Sequence, residues 1–195
     1  MYRYVEGAGT AALFAYITDI DFLSSTELIC TDRNNHCLRH VDLSLSPPQT
    51  STFAGSCTVE GDADGHRVNT ALFGRPAQTE VKNDYPTLFL LDYVRTLHMI
   101  DMRTDNVAKV VTFNVHYFYM KIFGDSLLYI TQLHQITVFN INTSEDYVVA
   151  GKLTHGNAIG LFMNTEFNRP FSIFPWTREM DLLWLVADQL NNRLV

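Results

Sequence analysis

The chain lacks any run of 18 apolar residues, and its apolar stretches, such as Leu88-Phe89-Leu90-Leu91, are strand-sized. That excludes a membrane-spanning helix. The first 20 residues lack a basic region followed by a long apolar region and a small-residue cleavage site, so no signal peptide is expected within them. Basic charge is scarce: 14 Lys and Arg stand against 21 Asp and Glu, a formal net charge of −7, and the cations are scattered singly. A nucleic-acid surface needs a basic stripe to neutralise phosphates, so no nucleic-acid partner is expected. The HExxH, GxSxG and GxxxxGK[ST] patterns are absent, which removes the commonest written signatures of zinc hydrolysis, serine hydrolysis and nucleotide phosphate binding. Cysteines number three, at positions 30, 37 and 57, and their spacing fits no zinc pattern. No cofactor or metal is expected.

What is present describes a globular chain. Its 195 residues are 47% hydrophobic and 18% charged, unlike disordered or collagen-like sequences. The length suits one domain, which when closed buries about 70% of its unfolded surface. Aromatics at 12%, with many Thr and Val, lean towards strand.

The chain repeats itself. Ala54-Gly55, Gly61, Gly65, Phe73 and Arg75-Pro76 match Ala150-Gly151, Gly156, Gly160, Phe167 and Arg169-Pro170. A second element accompanies each copy: Asp32 with Asn35, and Asp188 with Asn191, in both cases after an apolar run and three residues apart. Phe89-Leu90-Leu91-Asp92 keeps the Asp, whereas Leu128-Tyr129-Ile130-Thr131 keeps the apolar pattern alone. Asp and Asn suit the intervening turn because their side chains cap backbone donors and tolerate φ > 0. Each unit reads as four short strands; in the first these lie near 13–20, 26–32, 36–43 and 50–54, with a turn at Ser46-Pro47-Pro48-Gln49. Such units, of about 40–50 residues, are the signature of a β-propeller, in which blades stack because none can bury its two apolar faces alone. The expected fold is all-β, with about four four-stranded antiparallel blades at 12–55, 74–113, 114–150 and 167–195. The last blade lacks its fourth strand, and residues 2–6 are available to pair onto 192–195 as a closing strand.

Thr31-Asp32-Arg33-Asn34-Asn35-His36-Cys37-Leu38-Arg39, Phe53-Ala54-Gly55, Asp64-Gly65, Ala71-Leu72-Phe73 with Pro76, and Ala187-Asp188 with Asn191-Asn192-Arg193-Leu194 resemble the NHL-repeat family. The resemblance implies a propeller, usually six-bladed, that acts as an interaction platform. Six blades need about 270 residues. The sequence therefore reads either as an arc of a six-bladed ring or as a four-bladed ring zipped by its ends.

Folding the third and fourth strands about residues 44–49 brings Cys37 near Cys57, which makes a disulfide geometrically plausible. Folding about Arg33-Asn34 puts Cys30 opposite Cys37 instead, and three free thiols fit a reducing compartment. Asn142-Thr143-Ser144 is an N-glycosylation sequon in an expected turn. An extracellular setting is favoured over a cytoplasmic one. Gly61-Asp62-Ala63-Asp64-Gly65-His66 looks like part of a calcium loop but lacks the further oxygen ligands and the late Glu that such a loop needs.

The glycine-rich segments 56–70 and 152–166 are expected as long loops, where recognition sits on a rigid scaffold. Their Asp62, Asp64, His66, His155 and Asn157 are the candidate binding residues. The function this supports is a non-enzymatic interaction scaffold with a protein partner. One alternative is a propeller enzyme, a metal-assisted lyase or hydrolase, using Asp19, Asp21, Glu80, His116 and Tyr119 of the innermost strands. Another is a structural spacer in a larger extracellular protein.

Overall fold

The structure, a computed structural model, describes residues 4–82, 86–124, 126–178 and 181–195. The chain divides into two compact units, Met1–Phe113 and Asn114–Val195. In the first unit, β1 (Gly7–Ala8), β2 (Ile17–Ser24), β3 (Glu27–Asp32), β4 (Cys37–Asp42) and β5 (Gln49–Ala54) form one sheet in the order β1-β5-β4-β3-β2. The second sheet of that unit contains β6 (Gly65–His66), β7 (Pro76–Lys82), β8 (Thr87–Asp92), β9 (Thr96–Asp101) and β10 (Asn106–Thr112), in the order β6-β10-β9-β8-β7. The second unit holds β11 (Tyr117–Phe123), β12 (Leu127–Gln132), β13 (Gln135–Asn140) and β14 (Glu145–Gly151) as one meander. Its other sheet is β15 (Pro170–Arg178), β16 (Asp181–Asp188) and β17 (Arg193–Leu194). Among the described residues these strands pair antiparallel, and an isolated bridge between Glu60 and Phe73 is parallel. The fold is all-β, with four sheets of β-propeller type, and among the described residues the only helices are short 3-10 turns.

The Asp–Asn spacing marks one device, built twice in full. Asp32 accepts the Ala15 N–H at 2.7 Å, Asn35 Nδ2 at 2.8 Å and Arg39 Nη1 at 3.1 Å. Asp188 accepts the Asn168 N–H at 2.7 Å, Asn191 Nδ2 at 2.7 Å and Arg193 Nε at 2.9 Å. Each carboxylate thereby ties the chain entering a blade to the turn between its second and third strands. The 3-10 turns Arg33–Asn35 and Gln189–Asn191 end on left-handed residues, His36 and Asn192. In the second blade Asp92 accepts from Gly74 N, Thr96 N and the buried His98 Nε2, so an imidazole takes the arginine's place. In the third blade Thr131 stands there, with Gln132 bonded to Thr137.

The Gly–Phe repeat has an equally direct cause. Gly55 and Gly151 end the fourth strands at φ +86° and +90°, and a Cβ on either would sit within 3 Å of the ring of Phe73 or Phe167. Both rings are fully buried beneath the glycine backbone. Only glycine supplies that φ and that close approach together.

The first strand begins later than its sequence pattern suggests. Residues 9–11 form a 3-10 turn, Tyr16 takes φ 71°, and β2 starts at Ile17, because the backbone first bends to deliver the Ala15 N–H to Asp32. Of the proposed closing strand 2–6, residues 4–6 are described, and their described bonds go to the first blade. Val5 bridges Leu13, and Tyr4 and Glu6 both bond Thr52. The bond between Cys37 and Cys57 is formed. The rival pairing fails because the β3–β4 register puts Cys30 opposite Arg39 and Cys37 opposite Asp32. Cys30 is a buried free thiol, pushed up to about 11 by burial.

Candidate functional site

The two glycine-rich loops are each held by a lysine–carboxylate pair and an arginine. In the first, the disulfide anchors Cys57, and Lys109 of β10 binds Asp62 through Nζ at 2.6 Å and Asp64 through its backbone N–H at 2.8 Å. Arg67 donates to Asp105 and to the Phe53 carbonyl. His66 pairs with Asn106 through β6, and its ring Nδ1 accepts the Val68 N–H. The loop is thus fastened to the outer strand of the second blade, and its Asp side chains are engaged with Lys109.

The second loop is pinned by side chains, two of them from the last turn and strand of the fourth blade. Besides Asp188, Arg193 donates to the carbonyls of Asn157, through Nη1 at 2.5 Å, and Glu166, through Nη2 at 2.6 Å, while Asn191 reaches the Gly156 carbonyl at 2.6 Å. Lys152 binds Glu166 at 2.7 Å, and the Thr165 hydroxyl closes onto the Gly160 carbonyl at 2.5 Å. These bonds fix the backbone of 156–166 yet leave its apolar side chains outside. Leu153, Ile159, Leu161 and Phe162 are 85%, 79%, 77% and 72% exposed.

Beneath this loop lies a cavity of about 340 Å³. Its floor is Ile136, Phe167, Ile173 and Val186, a buried apolar cluster with Trp184, Val149 and Val195 packed against it. Its roof is Gly160, Leu161, Phe162 and Thr165. Tyr129 stacks at 4.1 Å between ring centroids on Trp184, and Phe123 meets Trp184 edge-on at 5.5 Å. Burial raises the Tyr129 phenol above its usual range, with Tyr147 nearby adding to the effect, so it presents a neutral hydroxyl. The lining is mostly apolar, with the Tyr129 and Thr165 hydroxyls among it, and suits apolar side chains.

The sequence-derived candidates fall outside this cavity. Asp62, Asp64 and His66 lie in the first unit, with Asp62 and Asp64 brought together on Lys109. His155 packs its ring 5.7 Å from His134, and Asn157 supplies its carbonyl to Arg193. Asn142 is exposed in the turn between β13 and β14. Asp19 and Asp21 accept backbone N–H groups of β7, from Thr79 at 2.8 Å and Val81 at 2.9 Å, and so join the first two blades. Burial raises the Asp19 carboxyl although Thr79 bonds to it twice. His116 and Tyr119 belong to the second unit and Glu80 is buried in the first. Among the described residues no three His, Cys, Asp or Glu side chains cluster as a metal site. The cavity itself escapes sequence reading, save for one signal: the triplet Leu161-Phe162-Met163 is an apolar run inside a glycine-rich loop.

No protein-family model matches the chain, and no curated protein matches it in sequence. The NHL likeness therefore rests on the residues quoted above. Solved structures do share its architecture. The extracellular domains of two putative hybrid two-component systems from Bacteroides thetaiotaomicron align over 100% and 98% of this chain with a TM-score of 0.57 each, at 8% and 11% identity. The chain spans 24% and 25% of those two structures. An auxiliary nutrient binding protein from Bacteroides ovatus aligns over 99% of the chain and 58% of its own length, with a TM-score of 0.56 and 12% identity. At such identities the likeness concerns the fold alone.

Proposed function

We propose that this chain is a non-enzymatic, protein-binding propeller scaffold whose recognition face is the loop 152–166 and the cavity beneath it. The observation that carries the reading is the pairing of a pinned backbone with outward apolar side chains. Leu161 and Phe162 are more than 70% exposed on a loop held by five side-chain bonds. Contiguous apolar surface of that kind on a rigid frame marks an interaction site. The engagement of Asp19 and Asp21 with β7 supports a structural rather than a catalytic use of those carboxylates.

The setting is extracellular in this reading. The Cys37–Cys57 bond supports an oxidising compartment, and two of the fold neighbours are extracellular domains. A second reading, the binding of a small apolar nutrient, has support from the cavity volume, which lies in the range that encloses small ligands, and from the nutrient-binding neighbour.

Affinity capture from the source cells separates the two. Proteins held by the natural chain and lost with Leu161→Asp and Phe162→Asp, yet retained with Asp62→Asn, fit the scaffold reading. Capture unaffected by the two loop substitutions contradicts it. Small molecules extracted from the purified chain, with no protein captured, favour the nutrient reading.

A further inference from the structure

Arg39 and Arg67 show what an arginine laid on aromatic rings takes on its edge in this fold. Arg39 sits 4.6 and 5.0 Å from the ring centres of Tyr4 and Phe14, and gives its N–H groups to the Asp32 carboxylate and to two carbonyls. Arg67 lies 4.6 Å from the Phe53 ring centre and donates to the Asp105 carboxylate and the Phe53 carbonyl. In each, rings pack on the flat face of the cation and a carboxylate meets its edge. Arg33 has the rings without the carboxylate. It opens the turn between β3 and β4, and its guanidinium lies 4.2 Å from the ring centre of Tyr93 and 5.5 Å from that of Tyr16. Among the described residues that guanidinium donates to no carboxylate or carbonyl. Arg33 is half-buried, and Tyr16 and Tyr93 are 62% and 48% exposed, so the cluster is open to solvent. Arg169 over Phe118 differs, because its Nε is buried. The backbone holds the three residues in place. The Arg33 N–H donates to the Tyr16 carbonyl at 3.2 Å and the Tyr93 N–H to the Arg75 carbonyl at 2.9 Å, and Arg33 and Tyr93 each follow a buried aspartate that anchors its turn, Asp32 and Asp92. The cluster bridges the first and second blades within one unit and does not depend on the loop 152–166 or its cavity.

We propose that Arg33, with Tyr16 and Tyr93, is a second binding site, and that it takes a single carboxylate, the acidic side chain of a protein partner. The edge of a guanidinium meets a carboxylate through two parallel hydrogen bonds, and rings on its faces hold that edge ready before the ligand arrives. A phosphate dianion matches less well, because the cation of the adjoining turn, Arg75, is paired with Glu60 at 3.6 Å. A sugar acid is disfavoured too: the guanidinium covers a face of each ring, which removes the platform on which a sugar beside it stacks. The net charge of −7 repels a polyanion. The carboxylate is therefore expected among neutral residues, and apolar ones suit Ile17 and Val94, the chain neighbours of the two tyrosines, each 41% exposed.

The experiment is an NMR titration of the 195-residue chain, read at the Arg33 Nε–H and at the Tyr16 and Tyr93 ring protons. The probes are a capped pentapeptide with one glutamate between two valines, the same peptide with glutamine in its place, trigalacturonic acid and inorganic phosphate. The expected result is a saturable shift of all three side chains by the glutamate peptide, with affinity at least about fivefold above that of the glutamine peptide. Arg33→Gln is expected to abolish that difference. Arg33→Lys keeps a cation between the rings, and with it the fold, but loses the planar fork, so it is expected to weaken binding of the glutamate peptide as well. Equal affinity for the two peptides, or a difference that survives Arg33→Gln, overturns the site. Undiminished binding by Arg33→Lys overturns recognition through the fork. Saturation by trigalacturonic acid or phosphate without saturation by the glutamate peptide overturns the assignment to a protein side chain.

Discussion

Arg193 donates from Nε to the buried Asp188 carboxylate at 2.9 Å and spends its other two nitrogens on the carbonyls of Asn157 and Glu166. One guanidinium thus joins the turn of the fourth blade to the loop that roofs the cavity. Arg39 does the same on Asp32, holding the carbonyls of Leu13 and Val5 at 3.2 and 3.0 Å. The planar fork of arginine matches a carboxylate and two carbonyls at once, and an ammonium does not. Arg193→Met is expected to cost about 3 kcal/mol, because it strands a buried carboxylate. Arg193→Lys is expected to recover only part of that. Denaturant melts give the energies, and exchange at residues 156–166 rises in both variants if the arginine pins the loop. Unchanged exchange there shows that the loop is held by other means.

The Cys37–Cys57 bond closes a loop of 20 residues. Chain-entropy arguments assign such a loop about 3 kcal/mol. Cys57→Ser, or reduction of the natural chain, is expected to lower the stability of the first unit by that order. Cys30 serves as the internal control. Buried, with its thiol pushed up to about 11, it stays unreactive towards a thiol reagent at pH 8 until the chain unfolds. Identical denaturation curves with and without reductant contradict the first expectation.

Stability is expected to fall on mild acidification. His36 and His134 stand at the same place in the first and third blades, each beside the glycine that ends the fourth strand. Burial lowers both imidazoles below their ordinary value. Glu60 opposes and Arg75 reinforces the effect at His36, whereas His155 reinforces and Asp188 opposes it at His134. A lowered folded pKa means that the unfolded chain binds the proton more tightly. The associated stability is therefore full above about pH 7 and drains as pH falls through about 6.5 towards the folded values. The melting temperature should drop between pH 7.5 and 5.5, and His36→Gln with His134→Gln should flatten that part of the profile. A profile unchanged by the double substitution assigns the acid loss to other groups.

Much of this fold is written in the residues. Asp32 with Asn35 and Asp188 with Asn191 mark turns because a carboxylate three residues before an amide can bond it directly, a local geometry that spacing captures. Gly55 with Phe73 and Gly151 with Phe167 are visible as a repeat, but their cause, a ring seated under a backbone with no Cβ, appears only in three dimensions. The site was less legible. Polar loop residues such as Asp62 and Asp64 attract notice as ligands, yet Lys109, 45 or more positions away, consumes them. The cavity is formed by Tyr129, Phe162, Trp184 and Val195, which come from separate elements, so no local spacing announces it. Its one mark in the sequence is an apolar run inside a glycine-rich loop, Leu161-Phe162-Met163.

Asn142 lies exposed in the β13–β14 turn, where its own N–H donates to Asn140 Oδ1 at 2.9 Å and its side chain faces solvent. Secreted from a eukaryotic host, the chain is expected to carry one N-linked glycan there, removed by a glycan-cleaving amidase and lost with Asn142→Gln. A single mass in all three samples shows that the turn is not modified.

The most direct test of the recognition face is photo-crosslinking. A photoreactive amino acid is placed at Leu161 in one sample of the 195-residue chain and at Asp62 in another, and each is irradiated in an extract of the source cells. One dominant crosslinked polypeptide is expected from position 161, suppressed by excess unlabelled chain and not by the Phe162→Asp variant, and no such product from position 62. A dominant product from position 62, or none that depends on Phe162, contradicts it.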